Sequence, residues 1–294
     1  YTGKPDSYYN AIINWVKQRY DLVVAKEMIN FVPGIVPGIG MAMNCFTQKG
    51  DKVMIQPPVY HPFSWLVTRN DRRVVECPLI LENGMYRMDL DTFREQIKGC
   101  KLFILCNPHN PGGVVWTEAE LRAIADICYD EKVLVFSDEI HADLTLPPHT
   151  HRPFATVSEK ARMNSVTFMS PSKAFNMPGL SASHALIFNE DLRKRFRIYM
   201  DAGELDMGHV FAFLSVEAAY SHGTEWLDQC LAYIQGNIDF VDDFLKNHAP
   251  KIKAIRPEAS YLVWLDCREL KLSQKDLNEF FVDKAHLALR GDVW

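Results

Sequence analysis

The sequence predicts an α/β fold, a mostly parallel sheet sandwiched by helices, followed by a smaller α+β C-terminal domain. Three observations lead there. Short runs of Val, Ile, Leu and Phe alternate with amphipathic helical segments along most of the chain. Those runs are apolar throughout, as expected of strands covered on both faces. The 294 residues, 48% hydrophobic and 23% charged, are enough for one large core and a modest appendage.

In chain order, Asp6-Ser7 caps a predicted helix through Tyr20, with Ile12, Ile13 and Val16 on one face. Lys52–Gln56, Arg73–Cys77, Lys101–Cys106 and Val133–Phe136 read as strands. Helical segments near 61–70, 89–99 and 117–130 separate them, with Asp89 and Thr117 as caps. Ser165–Met169 and His184–Phe188 read as further strands. From Glu225 the pattern changes: Leu227, Leu231, Ile234, Ile238, Val241 and Leu245 form the stripe of one long helix that stops before Pro250. Strands over Lys251–Arg256 and Tyr261–Leu265, then a helix from Ser273 to about Ala285, complete the pattern. This divides the chain into a large domain, 1–225, and a small one, 226–294.

Composition narrows the function classes. A formal charge of −5 gives no electrostatic case for nucleic acid or an anionic membrane surface. No apolar run reaches the eighteen or so residues of a membrane helix. The seven cysteines form no CxxC, so they read as free thiols of a reducing, cytoplasmic compartment. Neither end reads as finished: Tyr1 is not an initiator Met, and Trp294 follows directly on Arg290-Gly-Asp-Val. His149 and His151, a loop pair without evident Cys or acidic partners, are not read as metal ligands. His109 and His184 read as packing or hydrogen-bonding residues, and Tyr261 and Trp264 as small-domain core.

Four polar segments interrupt this pattern. Pro33-Gly-Ile-Val-Pro-Gly-Ile-Gly40 precedes a helix and leaves backbone N–H groups free for an anion, although it lacks the dinucleotide fingerprint and, taken alone, is a tight turn. Cys106-Asn-Pro-His-Asn-Pro-Gly-Gly113, Phe136-Ser-Asp-Glu-Ile-His-Ala-Asp143 and Ser170-Pro-Ser-Lys-Ala-Phe-Asn-Met-Pro-Gly179 each follow a strand, at the edge where parallel sheets gather ligands. Singly, Asn110 is a turn residue, Asp138 a cap or surface acid and Lys173 a solvated loop lysine. Together they are an Asn, an Asp 28 positions later and a Lys 35 beyond that, the set a pyridoxal phosphate site needs. A carboxylate keeps the pyridine nitrogen protonated, an amide bonds the phenolic oxygen, and a lysine holds the aldehyde as a Schiff base.

With Gln56-Pro-Pro-Val-Tyr-His-Pro-Phe63 added, these motifs resemble, in order and over most of the chain, fold-type I pyridoxal-phosphate enzymes of the aminotransferase class I/II superfamily. More narrowly, the chain is similar to the cystathionine β-lyase-like (MalY/PatB) branch of C–S lyases. The resemblance implies Lys173 as the Schiff-base lysine, Asp138 at the ring nitrogen, Asn110 and His141 at the phenolic oxygen, and Tyr60 stacked on the ring. It implies backbone N–H groups of Ile35 and Val36, with the Ser170 and Ser172 hydroxyls, for the phosphate. Tyr1 would reach the neighbouring subunit's phosphate, making the site shared across a homodimer. His61 stands where many relatives have a second Tyr, and Ser181 where many aminotransferases have a phosphate-binding Arg. Arg290 comes too early in the motif order to be the substrate-carboxylate Arg. The implied reaction is β-elimination from cystathionine or another S-substituted cysteine. The alternatives are an aminotransferase using the same Lys173, and a regulatory or scaffold protein that retains the fold.

Overall fold

The computed structural model of the protein describes residues 3–289. Helix α1 (Asp6–Tyr20) buries Ile12, Trp15 and Val16. Its N-cap is Pro5, with no side-chain cap, so the expected Asp6-Ser7 cap is not used. Asp6 is the first helical residue, favourable beside the helix N-terminus, and pairs with Lys26. Strand β1 (Ile29–Val32) leads into α2 (Ile35–Phe46). Then come β2 (Lys52–Ile55), α3 (Pro62–Arg69), β3 (Arg73–Glu76) and a hairpin of β4 (Ile80–Glu82) and β5 (Met85–Arg87). Helix α4 (Leu90–Gln96) takes Asp89 as its cap, and α5 (Glu118–Asp130) a Thr117–Glu120 capping box. Between them runs β6 (Cys100–Cys106), followed after α5 by β7 (Leu134–Asp138), the short α6 (Glu159–Met163), β8 (Ser165–Met169) and β9 (Ser183–Leu186). Helices α7 (Glu190–Ala202), α8 (Val210–His222) and the 25-residue α9 (Thr224–His248) follow. An antiparallel pair, β10 (Lys253–Ile255) and β11 (Trp264–Asp266), precedes α10 (Gln274–Glu279), which continues as a π-turn over Phe280–Lys284.

Seven strands form the main sheet in the order β1-β9-β8-β7-β6-β2-β3. From β3 to β8 all neighbours are parallel, whereas β9 runs antiparallel to both β8 and β1. Period-two alternation distributes each strand over two cores. Leu102, Ile104, Phe136, Val166 and Phe168 join the α2, α3 and α7 layer, while Phe103, Leu105 and Val135 face α4 and α5. Met169 and Leu186 join the core under α1, α8 and α9. Because β9 is inverted, its beginning meets the end of β8 (Met169 opposite His184) and the end of β1 (Val32 opposite Ser183). The carboxyl ends of β1, β2, β6, β7 and β8 and the start of β9 therefore share one edge.

The C-terminal pair is joined to that edge by a backbone strap. Glu258 and Ala259 both donate N–H to the Gly113 carbonyl, at 2.8 and 3.0 Å, and Ser260 donates to the Leu144 carbonyl at 2.9 Å. The Glu258 carboxylate accepts from Val115 N at 2.9 Å. Gly113 has φ +68, and a Cβ there would lie 2.4 Å from Pro257 Cβ and 2.9 Å from the Ala259 carbonyl. Gly113→Ala is expected to lose about 3 kcal/mol, read as a lower urea midpoint at unchanged slope, since neither backbone can yield without breaking the strap.

Candidate active site

Helix α2 opens on Gly34, at φ +124 and with no side-chain cap. The first-turn N–H groups of Ile35 and Val36 have no intrahelical acceptor, and Pro37 has no N–H at all. The two free donors and the helix dipole point to the shared sheet edge. A side chain at Gly34 would strain this turn and press on Pro37 at 3.3 Å.

The loop after β6 is folded by its own thiol and an indole. Cys106 Sγ accepts from Asn110 N at 3.3 Å, and Trp116 Nε1 donates to the Cys106 carbonyl at 2.9 Å. Burial, then the charge of Asp138, pushes the Cys106 thiol well above its usual range. Asn110, 6% exposed, has its Nδ2 3.2 Å from His141 Nε2. Burial, then the Lys173 ammonium, pushes His141 down to about 3. The imidazole is therefore neutral, and with Nε2 accepting, its proton sits on Nδ1. Asn110 Oδ1 and His141 Nδ1 are buried with no protein partner among the described residues, an arrangement that native interiors rarely leave without a ligand or water.

Asp138 ends β7, buried, with Oδ1 accepting from Ile140 N at 3.1 Å. Burial pushes its carboxyl up to about 7, against that hydrogen bond and the nearby Lys173 charge. Glu139 turns the other way, accepting from Ser137 Oγ and Phe154 N at 2.8 Å each and sitting 2.7 Å from His151 Nε2. His149 lies 3.6 Å from Glu258. Both loop histidines thus have acidic neighbours that the sequence did not reveal, but each has a different one, Glu258 for His149 and Glu139 for His151.

Lys173 is half-buried in the turn after β8, fixed by Phe175 N donating to the Pro171 carbonyl and Met177 N to that of Ser172. Tyr60 packs edge-on against Phe63 at 5.8 Å. Burial, with Asp138 and Tyr261 nearby, holds its phenol above the usual range.

One cavity of about 370 Å³ collects Ile35, Val36, Tyr60, Asn110, Asp138, His141, Ser172 and Lys173. Ser170 lies behind its wall, donating its hydroxyl to the Ala182 carbonyl at 2.7 Å and accepting from Ser172 N at 3.1 Å. Tyr1 and Arg290 lie outside the described residues. The cavity also recruits Cys106, Ser181, Ser183 and Tyr261. Tyr261, expected in the small-domain core, is 43% exposed at the cavity. Ser183 reaches the cavity only because β9 is inverted, which the sequence does not show, and Cys106 reads from sequence as one more core thiol.

The model of the family described as aminotransferase class I and II matches residues 2–290. Cystathionine beta-lyase PatB of Bacillus subtilis is 38% identical over 291 residues, 98% of this chain and 75% of that protein. The PLP-bound putative aminotransferase of Clostridium difficile superposes with a TM-score of 0.96 at 40% identity, over 99% of this chain and 75% of its own. The PLP-bound C-S lyase of Staphylococcus hominis does so with a TM-score of 0.91 at 33% identity, over 99% and 75%.

Proposed function

The chain belongs to the aminotransferase class I and II family, and from that premise we propose that it is a pyridoxal 5′-phosphate-dependent carbon–sulfur β-lyase. It releases a thiol, pyruvate and ammonia from cystathionine or a related S-substituted cysteine. The observation that carries the reading is the convergence of Lys173, Asp138 and the Asn110–His141 pair with the open start of α2 in one cavity. That donor set suits this cofactor. The free N–H groups of Ile35 and Val36, with the Ser172 hydroxyl, suit a phosphate. The unpartnered Asn110 Oδ1 and His141 Nδ1 suit a polar ring substituent, and the buried Asp138 carboxyl suits a basic ring nitrogen. In this reading Lys173 holds the aldehyde carbon and Tyr60 covers the ring face.

When bound, the cofactor supplies an electron sink for charge developing at the substrate Cα. Lys173 Nζ, as a free amine beside the substrate, would take the Cα proton as general base. Asp138, screened from water, stabilises positive charge at the ring nitrogen more strongly than an exposed carboxylate would. Tyr60, whose phenol stays protonated at neutral pH, is a donor on the substrate side. Asn110 and His141 hold each other and would thereby present fixed polar groups to the ring substituent.

The alternative, an aminotransferase, is favoured by the name of the Clostridium difficile protein. Incubation with cystathionine separates the two. Pyruvate is expected without added 2-oxo acid; strict dependence on a 2-oxo acid would replace lyase by transaminase. We further propose a homodimer with the site shared between subunits, Tyr1 serving the partner's phosphate, a cytoplasmic location, and domains of 1–225 and 226–294. The free state of all seven cysteines supports a reducing compartment. Among the described residues, no helix is long and apolar enough to cross a membrane. Sedimentation velocity of the cofactor-loaded protein tests the dimer.

A further inference from the structure

A second chamber of about 290 Å³ lies on the other side of Lys173. Ser172, Lys173, Pro178 and Tyr261 line both spaces, so the lysine and the tyrosine stand in a shared partition. Helix α9 supplies the far wall: Trp226, Cys230 and Ile234 recur at steps of four and so face one side. Leu144 and Ala174, both buried, close the floor. Asn176 adds one amide, and among the described lining residues Lys173 is the only charged side chain. Trp226 is steadied by stacking on Phe175 at 5.7 Å.

We propose that this chamber is the subsite for the substrate's sulfur substituent, and that it selects cysteines whose substituent is neutral and apolar. The inference rests on the lyase reading above and specifies its substrate class. A Cα positioned for proton transfer to Lys173 has its β-carbon beside the partition. The walls of the first cavity, Gly34–Val36, Asp138 and the Asn110–His141 pair, are committed to the cofactor in that reading. The space continuous with the β-carbon is the chamber. Its walls solvate an alkyl or aryl group well. Among the described lining residues there is no acid for the distal ammonium of cystathionine and, apart from Lys173, no cation for its distal carboxylate, so that arm would lie against apolar walls without a charged partner.

The test uses the cofactor-loaded protein with S-benzyl-L-cysteine, S-methyl-L-cysteine and cystathionine. Pyruvate release should give a kcat/KM for the S-benzyl substrate about tenfold or more above that for cystathionine. Cys230→Trp, which fills the chamber, should lower the S-benzyl value about tenfold and the S-methyl value less than about threefold. Ile234→Phe narrows the same space from the next turn and replaces Cys230→Trp if that variant does not fold. Calorimetric binding of α-methyl-S-benzylcysteine, which has no Cα proton to lose, should weaken about tenfold in the filled variant. A preference for cystathionine, or undiminished binding of the benzyl analogue by a folded filled variant, overturns the subsite. Absence of pyruvate from every substrate overturns the lyase reading instead, and the binding measurement then still decides the chamber.

Discussion

Lys173→Ala is expected to reduce pyruvate release from cystathionine by about 10³-fold or more, because it removes both the covalent anchor and the general base. The same protein should lose the visible colour of its cofactor on dialysis, which the parent retains. The fold should be indifferent to the change. Lys173 is half-buried, and its turn is held by main-chain bonds from Phe175 and Met177 that Ala also permits. Circular dichroism and the unfolding midpoint should therefore match those of the parent. An alanine variant that stays coloured after dialysis and still turns over would show that another amine holds the cofactor.

Asp138→Asn should move activity and stability in opposite directions. With cofactor bound, a neutral amide no longer stabilises charge on the ring nitrogen, and turnover should fall by about 10²-fold to 10³-fold. In cofactor-free protein the same change should stabilise. Burial raises the folded-state Asp138 pKa from 3.8 to about 7, so between those values the folded chain binds more protons than the unfolded one. Stability then falls as pH rises from 4 to 7 and stays low above 7. Removing the carboxylate should recover up to about 4 kcal/mol at pH 8, with the gain shrinking below pH 7 and vanishing under pH 4. Thermal unfolding of the two cofactor-free proteins at pH 8 and pH 5 checks the sign; a variant less stable than the parent at pH 8 would mean that the carboxyl is well solvated. Such a trade is common where a buried charge serves chemistry at the expense of the fold.

What the sequence revealed follows from which interactions are local. Strands β2, β6, β7 and β8 were legible because strands covered on both faces are written as unbroken apolar runs. The caps Asp89 and Thr117 were legible because a cap bonds within three residues. Pro5, by contrast, starts α1 without any side-chain bond, and the neighbouring Asp6 and Ser7 look like the cap while pairing with Lys26 and Glu217. The β4–β5 hairpin carried an Asn83-Gly84 turn signal, both residues at positive φ, yet its strands are only three residues long. Strand β1 and the direction of β9 depend on pairings with distant partners and leave no periodic trace. At the site, residues placed at strand ends could be grouped in advance. The bond from Ser170 to the Ala182 carbonyl reaches across a turn, so no spacing rule shows it. Tyr261 and the α9 face enter from beyond the large sheet, so no spacing rule brings them to Lys173.

The strap at Gly113 and Leu144 bears on how the molecule can breathe. Its main-chain bonds tie residues 258–260 to the segments that follow Asn110 and His141. A rigid swing of the β10–β11 ribbon about the end of α9 would have to unfasten all of them at once. Smaller excursions must pivot beyond Ser260, where Tyr261, part of the cavity wall, begins the stretch into β11.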